Sequence, residues 1–247
     1  KPIERLKKGK IIKTICSVIL LWMFAFIAGL SASVVRAVTM FTFLAIGLAF
    51  QRKNVILFSL ISSMFFLLIF KPMFLFDVGF QLSYLAVFGI VWIQPKLYKI
   101  YSPKFKVDKK MWDIITFSSA AQIGVWPLSL YYFHQFPGLF MLSNLIIIPV
   151  LGAVLVGGIV VIAMALLGFL PQFLASAYGY VISLMNGFIN WISNQEQFLL
   201  KEISLSFVMM LVTYVIIIFG ADFLIKKSAK KFIYILVSIL LMQGVFL

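Results

Sequence analysis

Side chains that could carry acid–base, nucleophilic or metal chemistry are scarce in this sequence. Its 247 residues include one histidine, His134, one cysteine, Cys16, and seven acidic residues. A zinc site built from nitrogen and sulfur ligands needs three or four of them, which this sequence does not contain. It has no GxxxxGK[ST] phosphate loop, and no two carboxylates lie at a spacing that suggests shared acid–base work. We therefore expect a protein that is not an enzyme and that uses no metal or cofactor.

Amide, hydroxyl and glycine residues recur at helical spacing between positions 176 and 194. They fall within about 80° of one helix face and extend for about 27 Å, nearly the ~30 Å thickness of a hydrocarbon core. Such a polar stripe forms hydrogen bonds between helices or lines a hydrated pathway, and the sequence leaves both interpretations open. Its residues are Ser176, Gly179, Ser183, Asn186, Asn190 and Asn194. Four of them are candidate pathway-lining residues: Ser183, Asn186, Asn190 and Asn194.

A weaker polar set lies in the apolar run at 113–133. Ser118, Gln122 and Ser129 share an arc of about 40° at helical spacing, and we include them among the candidate pathway-lining residues. Pro127 removes a backbone donor and crowds the preceding turn, so we expect a kink and take it as a candidate helix breaker.

The stretch FDVGFQLSYLAVFGIVW at 76–92 places an acidic residue at the edge of an apolar run. Asp77 lies at the predicted N-terminus of a helix, where the helix dipole and free amides stabilise negative charge. Arg36 begins an earlier apolar run on the same predicted side of the membrane, so we predict an Arg36–Asp77 ion pair. Gln81 follows one turn later and faces a partner helix or a pathway, so it joins the candidate pathway lining.

The apolar run at 139–167 is longer than a straight membrane helix requires. As one helix its 29 residues would measure about 43 Å, against a hydrocarbon core of about 30 Å. Pro149 and Gly152 are candidate helix breakers, and Asn144 is a candidate pathway-lining residue. We predict a broken or re-entrant segment, which is tolerated where it is buried in protein or lines a wet cavity. A long, tilted and kinked helix is the alternative.

The composition places these residues in a membrane protein. Hydrophobic residues make up 64% of the chain and charged residues 11%, whereas soluble domains carry about 25% charged residues. Apolar runs that could span a membrane, or nearly so, cover residues 14–30, 37–50, 55–70, 80–94, 113–133, 139–167, 174–193, 205–225 and 232–247. We predict an all-α, polytopic membrane helix bundle with about eight to ten membrane segments. Residues 1–247 are expected to form a single membrane domain, with no soluble domain.

The net charge of +14 is explained by membrane topology. With a cytoplasmic N-terminus and alternating spans, 18 of the 21 lysines and arginines fall on the inner side. We therefore predict a multi-pass protein of the cytoplasmic (inner) membrane, whose N-terminus is cytoplasmic and whose basic loops meet anionic lipids. The loop at 96–112 interleaves lysines with aromatic residues. This pattern is typical of an ordinary interfacial loop, and single-strand binding is the alternative.

Four segments carry motifs in a fixed order. They are LSASVVRAVTMF (30–41), DVGFQLSYLAVFGIV (77–91), QIGVWPLSLYYFHQF (122–136) and LSNLIIIPVLGAVLV (142–156). Together they resemble successive motifs of the competence domain of the ComEC family, namely Arg-Ala-x-x-Met, Gly-Phe-Gln-Leu-Ser-x-x-Ala, Pro-x-x-x-x-x-Phe and Asn-x-x-x-x-Pro. The matching residues are Arg36, Ala37, Met40, Gly79, Phe80, Gln81, Leu82, Ser83, Ala86, Pro127, Phe133, Asn144 and Pro149.

This resemblance implies a channel component of the cytoplasmic membrane that passes single-stranded DNA into the cell during natural transformation. It implies as partners single-stranded DNA, a cytoplasmic helicase-like ATPase and an outer DNA receptor, with a homo-oligomer as a candidate assembly. The family's earlier Ser-Gly-Leu-His motif, its outer nucleotide-binding-like domain and its metallo-β-lactamase-like nuclease domain have no counterpart in this sequence. We therefore expect the later part of the competence domain, in a fragment of a longer protein, without nuclease activity.

Two other classes of function remain open on the residues alone. A transporter of small molecules or lipids would use a broken helix equally well, and it predicts a closed site near the middle of the membrane. A structural scaffold would use the polar stripes only for contacts between helices. A strand channel predicts instead one cavity that is open at both faces.

Overall fold

The apolar runs of the sequence form long helices. The computed structural model describes residues 7–51, 54–102, 105–201, 203, 205–223, 233, 234 and 236–238. The α-helices are α1 (Lys7–Ile27), α2 (Ala32–Ala49), α3 (Val55–Phe70), α4 (Val78–Tyr98), α5 (Lys106–Phe133), α6 (Phe140–Leu166), α7 (Gln172–Ser193) and α8 (Phe207–Phe223). Between them lie 3₁₀ turns at Pro72–Phe76 and Glu196–Phe198 and two short strands, β1 (Phe136–Pro137) and β2 (Leu199–Leu200). The prediction of an all-α helix bundle is confirmed.

The count of helices suited to cross a membrane is lower than the eight to ten segments predicted. Within the described residues, three helices are long and apolar enough, namely α2, α4 and α6. α3 and α8 have only 16 and 17 residues, and the apolar part of α1 is limited to Ile12–Ile27. α5 and α7 are long, but their amide and hydroxyl residues lower the mean hydropathy. The ninth apolar run, 232–247, lies mostly outside the described residues.

α6 is one continuous helix, so the predicted break at 139–167 is wrong. It runs for 27 residues with Pro149 and Gly152 inside it, and its mean hydropathy of 3.0 is the highest among the candidate spans. A proline inside a membrane helix is tolerated because local adjustments satisfy the backbone groups that it frees. At about 40 Å, the helix exceeds the ~30 Å hydrocarbon core, and tilt accommodates such an excess. Pro127 likewise lies within the continuous helix α5.

Contacts divide the chain into two compact units, residues 1–93 and 94–247. In the first unit, α2 packs against both α1 and α3. Its core consists of Leu60 and Leu67 on α3 with Phe80 and Tyr84 on α4. Tyr84 Oη donates a hydrogen bond to Ser63 Oγ at 3.1 Å, which gives its phenol a partner inside this apolar core.

In the second unit, α5 packs against α6 and α8, and α6 packs against α7. Two tyrosines connect neighbouring helices by donating to backbone carbonyls. Tyr214 Oη on α8 is 3.1 Å from the carbonyl oxygen of Gly124 on α5. Tyr178 Oη on α7 is 3.0 Å from that of Val154 on α6. A Cβ atom on Gly158 would lie 2.5 Å from Tyr178 Oη, so this contact requires a glycine.

A small antiparallel bridge joins two connections of the second unit. β1 lies between α5 and α6, β2 lies between α7 and α8, and Phe136 pairs with Leu200. The N–H of Gly138 also donates to the carbonyl oxygen of Phe198 at 2.9 Å. The start of α6 and the end of α7 are therefore held together.

Candidate functional site

The predicted polar stripe lies on the exposed side of α7. All six of its residues are exposed, whereas Tyr178, Ile182 and Met185 on the other side of the helix are half-buried. The hydrogen bond from Tyr178 to α6 fixes this orientation. The stripe therefore remains available at the surface, because packing among the described residues of the second unit does not cover it. Its members are Ser176, Gly179, Ser183, Asn186, Asn190 and Asn194.

The polar set on α5 faces the interior of the second unit instead. Ser118 is buried, and its hydroxyl has no hydrogen-bond partner among the described residues. Gln122 and Ser129 are half-buried. The structure therefore does not bring this set and the α7 stripe to one surface. Asn144 on α6 is half-buried.

The structure brings Arg36 and Asp77 together in the first unit. Arg36 Nη1 is 3.3 Å from Asp77 Oδ2, and Arg36 Nη2 donates to Ser33 Oγ at 3.2 Å. The Arg36 residue is only 7% exposed, so its positive charge needs such a partner. Asp77 also begins α4, because its Oδ1 accepts a hydrogen bond from the N–H of Gly79 at 2.8 Å. One carboxylate thus satisfies a buried cation and a free helix amide.

Gly79 and Gln81 adjoin this ion pair. A Cβ atom on Gly79 would lie 3.1 Å from Arg36 Nη2 and 3.2 Å from Asp77 Oδ1, so the close approach favours glycine. Gln81 Nε2 donates to the carbonyl oxygen of Leu75 at 2.7 Å, across the turn that precedes α4. Gln81 Oε1 is buried and has no partner among the described residues. The Gln81 side chain therefore stabilises the turn that leads into α4.

Two sequence motifs meet at one cavity of the first unit. The cavity has a volume of about 430 Å³ and a mainly apolar wall. Arg36 and Met40 from α2, Ser59 and Leu60 from α3, and Ser83 from α4 contribute to it. The motifs that contain Arg36 and Ser83 are separate in the sequence, and nothing in their spacing indicates that the two residues line the same cavity.

A second cavity of the first unit, about 480 Å³ in volume, is rich in aromatic side chains. We call it the aromatic pocket. Its wall consists of Trp22, Leu30, Ala32, Val35, Thr39, Phe66, Leu67, Phe70, Lys71 and Phe74. Sequence reasoning missed this site. The available signal was three phenylalanines at intervals of four, at 66, 70 and 74, beside a lysine.

The connection between α4 and α5 uses its aromatic residues for its own structure. Trp112 Nε1 donates to the carbonyl oxygen of Tyr98 at 3.2 Å, and the rings of Tyr101 and Trp112 meet edge to face at 5.4 Å. Tyr101 Oη donates to Asp108 Oδ2 at 2.9 Å, and this bond to a carboxylate raises the pKa of Tyr101. These contacts fit an interfacial loop better than a surface for base stacking.

The few reactive side chains do not cluster. His134 is exposed and caps the end of α5 with φ of 55°, and Cys16 is exposed on α1. In the part of the chain that the structure describes, no three histidine, cysteine or acidic residues could hold a metal ion together.

Comparison with known proteins places the chain among competence proteins. It is 25% identical over 178 residues to ComE operon protein 3 of Bacillus subtilis (strain 168). That alignment covers 71% of this chain and 22% of the relative, so the chain spans less than a quarter of the relative's length. No solved structure matches the chain. Residues 3–227 match the family described as Competence protein, and the chain therefore belongs to that family.

Proposed function

We propose that this chain forms part of the wall of a passage for single-stranded DNA across the cytoplasmic membrane. Family membership supports a role in competence and DNA uptake, and the passage is our more specific proposal. In it the chain is a multi-pass protein with a cytoplasmic N-terminus. Its basic loops meet anionic lipids on the inner side, where a helicase-like ATPase would draw in the strand that an outer receptor delivers.

The exposed polar stripe of α7 is the observation that carries this proposal. The helix has 22 residues, about 33 Å, which is enough to cross a ~30 Å hydrocarbon core. Transfer of an amide from water to hydrocarbon costs roughly 4–8 kcal/mol when no hydrogen bond replaces those to water. Three exposed asparagines, Asn186, Asn190 and Asn194, would therefore cost more than about 10 kcal/mol against lipid. A hydrated path avoids that cost.

The chemistry of the stripe suits a nucleic-acid strand. A carboxamide both donates and accepts hydrogen bonds, so Asn186 and Asn190 can contact phosphate oxygens and base edges alike. Neutral side chains also let the strand slide, because they do not hold phosphates as tightly as lysine or arginine would. The stripe is thus polar enough to remain hydrated, yet it binds weakly.

Uptake of labelled DNA by cells tests the proposal directly. The variant is Asn186→Leu with Asn190→Leu, and the matched control is Tyr180→Leu, which changes an exposed residue of α7 outside the stripe. We expect the double variant to lower uptake and transformation frequency at least tenfold at equal protein level, and the control to stay near wild type.

The other possible results of this experiment distinguish between the alternative functions. Unchanged uptake in the double variant, with normal protein level, would remove the stripe from the pathway. Loss of folded protein in the double variant but not in the control would favour a scaffold, in which the stripe only joins helices. Normal DNA uptake with altered flux of a small solute or lipid would favour a transporter.

A further inference from the structure

The aromatic pocket is distinguished from its neighbour by the kind of side chains that form it. Four of its ten wall residues are aromatic, compared with one of eleven in the cavity beside Arg36. Its volume of about 480 Å³ lies within the ~300–1,000 Å³ typical of ligand sites. An acyl chain would need only an aliphatic wall, such as the neighbouring cavity provides. The four rings indicate a flat, aromatic ligand.

A cation lies beside these rings. Lys71 Nζ is 5.5 Å from the centre of the Phe74 ring, and the lysine side chain is exposed. The nearest acidic residue in sequence, Asp77, is engaged by Arg36. The pocket therefore combines aromatic side chains with a positive charge, and this pairing suits a ligand that has an aromatic part and a negative part.

We infer that the aromatic pocket binds one nucleotide of single-stranded DNA, and this inference rests on the proposed function. The base stacks against the aromatic side chains, and the adjacent phosphate meets the Lys71 ammonium. Stacking on aromatic rings is tolerant of sequence because every base has a π-face. A pocket of this kind binds a strand without selecting its base sequence.

The position of the pocket agrees with that role. Leu30 and Lys71 lie in the connections at one end of the first unit, and Trp22 and Phe66 lie within about two turns of the same end on α1 and α3. The pocket is thus located where these helices end rather than at their middle. A strand bound there is held at the membrane boundary.

The experiment measures DNA binding by the purified protein in nanodiscs of zwitterionic phosphatidylcholine. The probes are a short fluorescein-labelled oligothymidylate and an abasic strand of equal length, followed by fluorescence anisotropy. The pocket variants are Trp22→Leu, Trp22→Phe and Lys71→Gln. The control is Phe41→Leu, which removes the single ring from the neighbouring cavity. Thermal melting verifies that each variant is folded.

We expect Trp22→Leu to raise the Kd for oligothymidylate about fivefold to 150-fold, the range for loss of one base stack. Trp22→Phe and Phe41→Leu should stay near wild type, and the abasic strand should not distinguish Trp22→Leu from the parent. Lys71→Gln should lower the salt dependence of binding by about 0.7 in slope, the value for one phosphate of a single strand.

Three outcomes would overturn the inference. One is equal weakening by Trp22→Leu and Phe41→Leu, and another is the same loss for the abasic strand. The third is that anionic phosphatidylglycerol, measured by native mass spectrometry, binds in a Trp22- and Lys71-dependent way while the oligonucleotide does not. None of these outcomes decides the proposed function, because that function is tested independently by DNA uptake in cells with the α7 variants.

Discussion

Gly79→Ala tests whether the turn before α4 depends on close contact between backbone and ion pair. The added Cβ would lie 3.1 Å from Arg36 Nη2 and 3.2 Å from Asp77 Oδ1, and the Arg36 side chain is only 8% exposed, which limits its movement. Crowding a packed site in this way costs about 1–3 kcal/mol. Alanine has a higher helix propensity than glycine, which offsets up to about 1 kcal/mol of this cost. We therefore expect the free energy of unfolding to fall by roughly 1 kcal/mol.

Gly152→Ala is the matched control for this change. It adds the same methyl group within a helix, and no described atom beyond its chain neighbours and the local helix backbone lies within 4 Å of the new Cβ. Only the propensity gain of up to about 1 kcal/mol applies there. The difference between the two variants isolates the crowding at Gly79, and we expect it to be about 2 kcal/mol. Unfolding of the protein in bicelles by steric trapping, or thermal melting in detergent, measures it.

A double-mutant cycle shows whether Arg36 is the cause. In an Arg36→Met background the guanidinium is absent, so Gly79→Ala should lose the part of its cost that comes from Arg36, while the contact with Asp77 Oδ1 remains. Asp77 tolerates the loss of its partner because its side chain is 37% exposed and it still caps α4. An equal cost of Gly79→Ala in both backgrounds, or no difference from Gly152→Ala, would refute the reasoning.

Two further predictions concern the second unit. Gly158→Ala should lower thermal stability because its Cβ would lie 2.5 Å from Tyr178 Oη, and Tyr178→Phe should relieve the clash while costing about 0.5–1.5 kcal/mol alone through the lost bond to Val154. A thermal melt of the double variant below that of Gly158→Ala would contradict this account. Ser118→Ala should raise the unfolding free energy by about 1 kcal/mol, since its buried hydroxyl has no partner among the described residues. A loss instead would indicate that the hydroxyl is hydrated.

Local features of the fold could be predicted from the sequence because they depend on nearby residues. The apolar run at 55–70 coincides with α3, and the start of α4 follows the acidic residue that caps it. The close approach of Arg36 and Asp77 was also predictable, since a charged residue at the edge of an apolar helix needs a partner. The periodicity of the α7 stripe likewise follows from 3.6 residues per turn.

Other features depend on packing that a linear pattern does not contain. Pro149 and the length of the run at 139–167 favoured a break, but α6 continues through Pro149 and Gly152. Helical periodicity likewise predicted the same role for the polar residues of α5 and of α7, although Ser118 on α5 is buried and Asn190 on α7 is exposed. Trp22 and Phe66 line the aromatic pocket together although they are far apart in the sequence, because their helices pack around α2.

The β1–β2 bridge is one of two connections that fix the α6–α7 hairpin. Phe136 and Leu200 pair between the start of α6 and the end of α7, and the Tyr178–Val154 hydrogen bond joins the two helices again along their length. Two contacts at different heights restrain rotation of α7 about its own axis. The helix face that carries the asparagines therefore keeps a fixed direction relative to α6.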